Sequence, residues 1–170
     1  MRAFLQNRSN FFWYFAPLLA IPLFLNLGKH PVFLWDESRQ AMNMLEMHSN
    51  GNYLVTHFEG LPEHYNTKPP LLIWLQLFFY KIGFNLEWAM RLPSAIAGML
   101  TAFILFKFTL SKSNNVWVAL FSSFILVSIS GYVELHGTRT GDYDALVTLF
   151  TTLSLVAFYQ FCQTEKSKKL

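Results

Sequence analysis

The sequence has little of what defines several large classes of protein. It contains one cysteine, Cys162, which excludes a disulfide scaffold because such a scaffold needs several. Charged residues make up only 14% of the 170 residues, whereas typical soluble domains have roughly 25%. The sequence has no Walker A loop, no GxSxG elbow and no HExxH motif, so it lacks common signatures of nucleotide binding, serine hydrolysis and zinc-dependent proteolysis.

Long apolar segments dominate what is present. Apolar residues make up 53% of the chain, and 18 residues are phenylalanine. Four stretches are almost free of charge: residues 11–28, 92–110, 115–133 and 145–162. At about 1.5 Å per residue each forms about 27 Å of helix, close to the roughly 30 Å of a bilayer core. They predict an all-α membrane protein with four transmembrane helices, in which residues 1–170 form a single membrane domain.

The segment between the first two spans, residues 29–91, is predicted to be a long outer loop containing one or two interfacial helices. The apolar stretch Pro69–Tyr80 would form only about 18 Å of helix, which is too short to cross a bilayer. A second helix is expected from Asp36 to about Asn50, with Gly51 placed to end it.

The distribution of charge favours four spans with both termini in the cytoplasm. The cytoplasmic segments then carry seven lysine and arginine residues and one acid. The outer segments carry six lysine and arginine residues and nine acids. A fifth span at Pro69–Tyr80 would place the basic C-terminal segment outside, against the positive-inside rule. The isoelectric point near 9.0 therefore reflects topology signals, and nucleic acid is not an expected partner. A cleaved signal peptide is disfavoured because the first apolar run is long and lacks a clear cleavage site.

Two acidic groups lie next to the predicted spans. Asp36 and Glu37 follow the first span, and Asp142 and Asp144 precede the fourth. The four-span topology places both groups on the same outer face, whereas five spans would separate them. Each group could also be only a solvated helix start, because acids are favoured at helix N-termini.

Three basic residues accompany these acids: Arg39, Lys68 and Arg139. Such cations can anchor phospholipid head groups, or they can bind the phosphate of a lipid-linked substrate. A carboxylate beside that phosphate can take the proton of an acceptor hydroxyl, while the cations stabilise the departing phosphate. A divalent metal could bind among four further residues, which lack the spacing of ligands on one helix: His57, Glu59, Glu63 and His64.

Several motifs follow one another along the chain: Asp36-Glu37-Ser38-Arg39, Tyr65-Asn66-Thr67-Lys68-Pro69-Pro70, Arg91-Leu92-Pro93-Ser94-Ala95 and Asp144-Ala145-Leu146. This ordered set resembles the integral-membrane GT-C glycosyltransferases. It is most similar to their ArnT-like and protein O-mannosyltransferase-like group, glycosyltransferase families 39 and 83. The resemblance covers about residues 11–162.

The resemblance implies a hexosyl- or pentosyltransferase that uses a polyprenyl-phosphate sugar and an acceptor on a lipid or glycan. It also implies a multi-pass protein among the lipids of the bacterial inner membrane. By motif position, Asp36 is similar to the family's catalytic carboxylate, and Glu37 and Asp144 are further catalytic candidates. The remaining matched or neighbouring residues are expected on the phosphate and donor side: Arg39, Lys68, Tyr65, Arg139 and Asp142.

Two departures from the family pattern qualify these expectations. Thr67 stands where ArnT-like enzymes often have a glutamate, so a metal contact of that acid is not expected, and no cofactor beyond a possible divalent metal is implied. The resemblance covers only the N-terminal third of the family pattern, so a further C-terminal part is an expected partner. The alternative is a non-catalytic membrane protein that binds lipid phosphate or packs against a partner. A transporter is disfavoured because no predicted span carries an acid at mid-membrane.

Overall fold

Helices form most of the architecture. The structure, a computed structural model, describes residues 10–134 and 136–168. In chain order the elements are α1 (Phe11–Phe24), α2 (Asp36–Asn50), β1 (His57–Phe58), β2 (Leu61–Pro62), α3 (Leu71–Lys81), α4 (Leu86–Ser113), α5 (Val116–Ser128), α6 (Ser130–Val133) and α7 (Asp144–Lys168).

Two helices have the length and apolar composition needed to cross a membrane. They are Leu86–Ser113, which is α4, and the Asp144–Thr164 part of α7. The first predicted span corresponds to α1, which has 14 residues and contains Pro17 and Pro22. The third predicted span is interrupted at Ile129, whose extended backbone separates α5 from the short α6. Four apolar segments are thus present as helices, while their arrangement as four transmembrane spans stays a prediction.

The largest apolar cluster joins α1, α4 and α5. Buried side chains from α1, α4 and α5 pack together at the end of α4 that is remote from its N-terminus, and they include Phe12, Leu19, Leu23, Phe106, Leu110, Leu120 and Val127. In contrast, α7 contacts α4 along one side and leaves large apolar residues exposed on the other. That exposed face is typical of a helix that meets lipid or further protein.

A stripe of small residues on α4, formed by Ser94, Gly98 and Ala102, packs closely against neighbouring parts of the chain. The Ser94 hydroxyl donates to the Asp142 carbonyl at 3.0 Å, and the Tyr132 hydroxyl donates to the Gly98 carbonyl at 3.1 Å. Further along, the Ser123 hydroxyl donates to the Ala102 carbonyl at 2.9 Å. Small residues at this spacing therefore serve close packing, as their pattern predicts.

The loop between α1 and α4 contains both of the helices that the sequence predicts. Helix α2 begins at Asp36 and ends where Gly51 adopts a left-handed backbone, with φ of 70°. Its Met44 and Met47 pack against Ile73 of α3 in a second apolar cluster. The stretch Pro69–Tyr80 forms α3 over Leu71–Lys81, which confirms a short helix at that place.

The outer loop also contains a small β-hairpin of two-residue strands. His57 pairs with Pro62 and Phe58 with Leu61 in an antiparallel ladder. The two residues between the strands, Glu59 and Gly60, have φ of 55° and 78°. Two consecutive left-handed residues form the turn that best matches the twist of a hairpin.

We expect the Gly98→Ala substitution to destabilise the chain by about 1–3 kcal/mol, a typical cost of overpacking. A Cβ at this position would lie 2.5 Å from Thr138 Cγ2, which is inside van der Waals contact. The measurement is the thermal unfolding midpoint of the purified chain in detergent. Gly131→Ala is the matched control, because no atom lies within 4 Å of its Cβ position. Equal midpoints for the two variants would contradict this packing.

Candidate functional site

A buried ion pair joins the segments that carry the predicted site residues. Arg91 Nε and Nη2 donate to Glu37 Oε1 and Oε2 at 2.8 and 2.9 Å. The remaining guanidinium N–H groups donate to three backbone carbonyls, each at 2.8 Å, which belong to Leu27, His30 and Pro31. All five donors of the arginine are therefore used. The pair ties the segment after α1 to the start of α2 and the first turns of α4.

Glu37 is equally well satisfied. Besides the two bonds from Arg91, its carboxylate accepts the backbone N–H of Phe33 at 2.7 Å and of Gly141 at 2.8 Å. The residue is 2% exposed. With each of its oxygens accepting two hydrogen bonds inside the protein, the carboxylate has no free side to present to a substrate. The geometry therefore favours a positioning role for Glu37 over the catalytic role expected from the sequence.

The loop that carries Asp142 is fixed from three sides. Glu37 accepts from the Gly141 N–H, Gln76 Nε2 donates to the Gly141 carbonyl at 3.1 Å, and Ser94 donates to the Asp142 carbonyl. A Cβ at Gly141 would lie 3.2 Å from the backbone of Met90, so glycine permits this close approach. Sequence reasoning missed Gln76 as part of the site, although an amide in the middle of the apolar α3 stretch is a usable signal.

Asp36 occupies a different environment from its neighbour Glu37. It is the first residue of α2, its side chain is 53% exposed, and it accepts no hydrogen bond within residues 10–134 and 136–168. Its Oδ2 lies 3.9 Å from His136 Nδ1, and that nitrogen lies 3.5 Å from Asp142 Oδ2. The only ion-pair contact of Asp36 among the described residues is thus the long one to His136, whereas the alternative of a simple helix cap would engage its carboxylate with the backbone.

Asp142 is the buried member of this acidic side. It is 5% exposed, and its Oδ1 lies 3.4 Å from Gln40 Nε2. Burial raises the pKa of the Asp142 carboxyl above its ordinary value, and the charges of Glu37 and Asp36 act in the same direction. A positive charge near Asp142, Glu37 and Asp36 would therefore be electrostatically favourable.

Basic and aromatic residues line another cavity that Asp36 borders. A cavity of about 70 Å³ is bordered by Asp36, Arg39, Gln40, Tyr65, Asn66, Thr67, Lys68 and Tyr143. Lys68 Nζ lies 5.0 Å from the centre of the Tyr143 ring, a cation–π distance. Within the described parts of the chain this ammonium forms no ion pair. It is therefore available to an anionic ligand.

Arg39 is held in place by the hairpin. Its guanidinium lies between the rings of Phe58 and Tyr65, 4.7 and 4.5 Å from their centres. Its Nε forms an ion pair with Glu63, whose other oxygen accepts from Asn43 Nδ2 at 2.5 Å. This leaves the two terminal nitrogens for a ligand. The ion pair with Arg39 also engages Glu63, one of the four residues considered for a metal. Among the described residues, these four do not form a group that could hold a metal ion.

Asp36 stands where three cavities meet. Besides the small basic cavity, it borders one of about 400 Å³ with Arg39 and Tyr65, and one of about 690 Å³ with His136 and Asp142. Cations therefore lie on one side of the carboxylate, and a histidine and a second acid lie on the other. The sequence motifs predicted most of this grouping, but His136 carried no signal.

Two predicted residues lie outside this group. Arg139 donates to the carbonyls of Pro22 and Leu25 at 3.1 and 2.7 Å, where it satisfies the C-terminal end of α1. It borders a separate cavity of about 400 Å³ with Arg91. Asp144 is the exposed first residue of α7, a place that favours an acid by itself. The structure thus brings Asp142, rather than Asp144, next to Asp36 and His136.

Comparison with known proteins agrees with this architecture. Residues 67–170 match the family model described as dolichyl-phosphate-mannose-protein mannosyltransferase. The chain is 33% identical over 147 residues to an undecaprenyl phosphate-alpha-4-amino-4-deoxy-L-arabinose arabinosyl transferase of Aeromonas hydrophila, covering 82% of this chain and 26% of that protein. A protein of the same name from Pseudomonas savastanoi is 32% identical over 139 residues, covering 79% and 25%. An uncharacterized protein of Aquifex aeolicus is 29% identical over 154 residues, covering 88% and 30%. No solved structure matches the chain.

The apolar helices and the polar site at the ends of several of them define a helical membrane protein. Because the family model covers more than half of its residues, the chain belongs to the dolichyl-phosphate-mannose-protein mannosyltransferase family. It spans about a quarter of the length of the curated arabinosyl transferases that it matches.

We expect Glu37→Gln to cost about 3–5 kcal/mol of stability, because it leaves the buried Arg91 charge without its partner. The measurement is thermal unfolding of the purified chain in detergent. Asp36→Asn is the control, since its half-exposed carboxylate accepts no hydrogen bond among the described residues. If Glu37→Gln unfolds at the same temperature as Asp36→Asn, the ion pair does not have the structural role assigned to it.

Proposed function

We propose that this segment belongs to a membrane glycosyltransferase, in which it binds a polyprenyl-phosphate sugar and activates the acceptor hydroxyl. The observation that carries the proposal is the position of Asp36, a half-exposed carboxylate that borders one cavity with the cations Arg39 and Lys68 and another with His136 and Asp142. Family membership supports the reaction class, and the printed names of the arabinosyl transferases support an undecaprenyl-phosphate donor.

The reaction follows from these positions. The acceptor hydroxyl forms a bond from its oxygen to the sugar carbon that carries the phosphate, and its proton passes to Asp36. The bond between that carbon and the phosphate oxygen breaks, and the phosphate leaves with the electron pair. Lys68 supplies a point charge to the departing phosphate, and Arg39 supplies two terminal N–H groups. Tyr65 and Tyr143 hold these two cations over their rings.

The remaining predicted residues take supporting roles in this proposal. Glu37 positions α2 through Arg91, so that Asp36 meets the cavities. Asp142 is the second acid of the site, and Asp144 starts α7. Arg139 holds the end of α1 and borders a neighbouring cavity, where it can meet a more distant part of the donor or a phospholipid.

The proposed setting is the outer leaflet side of a bacterial inner membrane. Helices α1, α4, the α5–α6 pair and α7 would be four spans of one membrane domain, with both termini in the cytoplasm. Support comes from the two long apolar helices and from the excess of basic residues in the segments assigned to the cytoplasm. The acceptor would be a lipid or a glycan on the outer face. The rest of the protein would complete the donor and acceptor sites.

The alternative is a non-catalytic protein that binds lipid phosphate or packs against a partner. The exposed apolar face of α7, which includes Phe150, Leu153 and Phe158, favours packing against lipid or further protein. The same phosphate site would serve both functions. Only the half-exposed Asp36 carboxylate has no use in the alternative, and its substitution therefore separates the two.

We expect Asp36→Asn to reduce sugar transfer by at least about 100-fold, because it removes the general base while keeping the shape of the side chain. Transfer from a polyprenyl-phosphate sugar is measured in membranes from cells that make the protein. Asp144→Asn is the matched control and should retain transfer, since its carboxylate lies outside the site cavities. Normal transfer by Asp36→Asn, at equal protein level, would contradict the proposed role.

We expect Lys68→Ala to weaken binding of polyprenyl phosphate by about tenfold or more, the usual effect of losing a hydrogen bond to a charged group. Lys81→Ala is a close control, because Lys81 Nζ also lies 5.0 Å from a tyrosine ring centre, that of Tyr53, but lines none of the described cavities. Binding is measured on the purified protein in detergent. Equal losses for the two variants would mean that Lys68 acts only as a general surface charge.

A further inference from the structure

We propose that Gln40 is a specificity-determining residue, whose amide oxygen accepts a hydrogen bond from the 2-hydroxyl of the donor sugar. Gln40 lies on α2 one helical turn after Asp36, and both residues border the cavity of about 70 Å³ with Lys68. This role rests on the proposed function, because it takes that cavity as the place of the sugar phosphate. It adds a contact to the sugar itself, which neither the phosphate ligands nor the general base supplies.

The amide of Gln40 is buried, and only one of its two arms is paired. The residue is 3% exposed, and its Nε2 donates to Asp142 Oδ1 at 3.4 Å. Its Oε1 is buried without a hydrogen-bond partner among residues 10–134 and 136–168. Because Asp142 does not border the small cavity, the oxygen is the arm of the amide that is left to meet a ligand there. A buried acceptor without a partner is unfavourable, and a donor group on a ligand would remove that cost.

The phosphate of the donor cannot satisfy this oxygen. In a polyprenyl-phosphate sugar the phosphate is an ionised diester, and its oxygens accept hydrogen bonds from groups such as Lys68 and Arg39. An amide oxygen is likewise only an acceptor. The group that meets Gln40 Oε1 must therefore carry an O–H or N–H, and in this donor such groups belong to the sugar.

The position of Gln40 selects the hydroxyl nearest to the reacting carbon. In the proposed reaction Asp36 lies beside that carbon and Lys68 beside the phosphate, and Gln40 borders the same cavity as both. A volume of about 70 Å³ has room for the phosphate and little more than the adjoining sugar atoms. The hydroxyl on the next ring carbon is the sugar group within that range. Hydrogen bonds to a 2-hydroxyl strengthen in the transition state of glycosyl transfer, so this contact would also assist the departure of the phosphate.

Tyr143 offers a complementary donor in the same cavity. Its hydroxyl is buried and has no hydrogen-bond partner in the described parts of the chain. Asn66 borders the cavity as well, but its Nδ2 donates to Asn43 Oδ1 at 2.9 Å. A sugar hydroxyl both donates and accepts, so it can pair with Gln40 Oε1 and with the Tyr143 O–H at once. A phosphate oxygen would pair with Tyr143 alone.

The test is binding of two donors by the purified protein in detergent: a polyprenyl-phosphate pentose and its 2-deoxy counterpart. We expect wild type to bind the 2-hydroxy donor at least about tenfold more tightly, because the 2-deoxy donor leaves the buried Gln40 oxygen unpaired. Gln40→Met should bind both donors with nearly equal affinity, since a thioether is only a weak acceptor. Both affinities are measured on one preparation, so a misfolded fraction does not change their ratio.

Gln76→Met is the matched control. Gln76 is fully buried and its Oε1 also lacks a partner among the described residues, but it borders none of the cavities that Asp36 borders. Its Nε2 holds the loop at Gly141, so its loss should weaken binding of both donors alike and leave the ratio of the two affinities at the wild-type value. A merely structural role of Gln40, through its bond to Asp142, would leave that ratio unchanged in the same way.

The outcomes separate the sugar contact from the proposed function. Equal affinities of wild type for the two donors, an unchanged ratio in Gln40→Met, or an equal loss of the ratio in Gln76→Met would overturn the contact. If the contact fails while Asp36→Asn loses sugar transfer, the glycosyltransferase proposal stands without it. If the ratios are as expected while Asp36→Asn retains transfer, the sugar contact stands and the proposed chemistry fails. Binding of neither donor by wild type would contradict both.

Discussion

The ion pair between Glu37 and Arg91 determines how the polar parts of this protein are arranged. A buried charge pair is stable only when its remaining hydrogen-bonding groups are satisfied, and here all five guanidinium donors and both carboxylate oxygens have partners. Neighbouring residues on a helix point about 100° apart. Because Glu37 points into the protein, Asp36 is turned toward the cavities. Glu37 therefore organises the structure, and Asp36 borders the cavities in which we propose that the reaction takes place.

This division of roles could be predicted only in part. The apolar runs, Gly51 and the short α3 stretch predicted the helices, since these signals depend on neighbours in sequence. The ordered motifs predicted that Asp36 and Lys68 belong to one site. The partner of Glu37, in contrast, lies 54 residues away, and although Arg91 opens one of the ordered motifs, that motif does not indicate which acid it pairs with. His136 likewise lies 3.5 Å from Asp142 although no signal in the sequence marks it for the site.

The basic and the acidic groups of the site lie in separate cavities, and both cavities are bordered by Asp36. On one side, aromatic rings and Glu63 hold Arg39, and Tyr143 lies under Lys68. In the neighbouring cavity Asp142 is buried, and this burial raises the pKa of its carboxyl. Lys68 and Arg39 are the groups that we propose to hold the anionic lipid phosphate, where they would stabilise its charge as it departs.

The most direct test of the account is a structure of the protein with a bound polyprenyl phosphate. We expect the phosphate in the cavity bordered by Lys68 and Arg39, with its lipid chain leading away from Asp36. A phosphate in the separate cavity of Arg139 would contradict the account, because Asp36 would then have no part in the reaction at the sugar carbon.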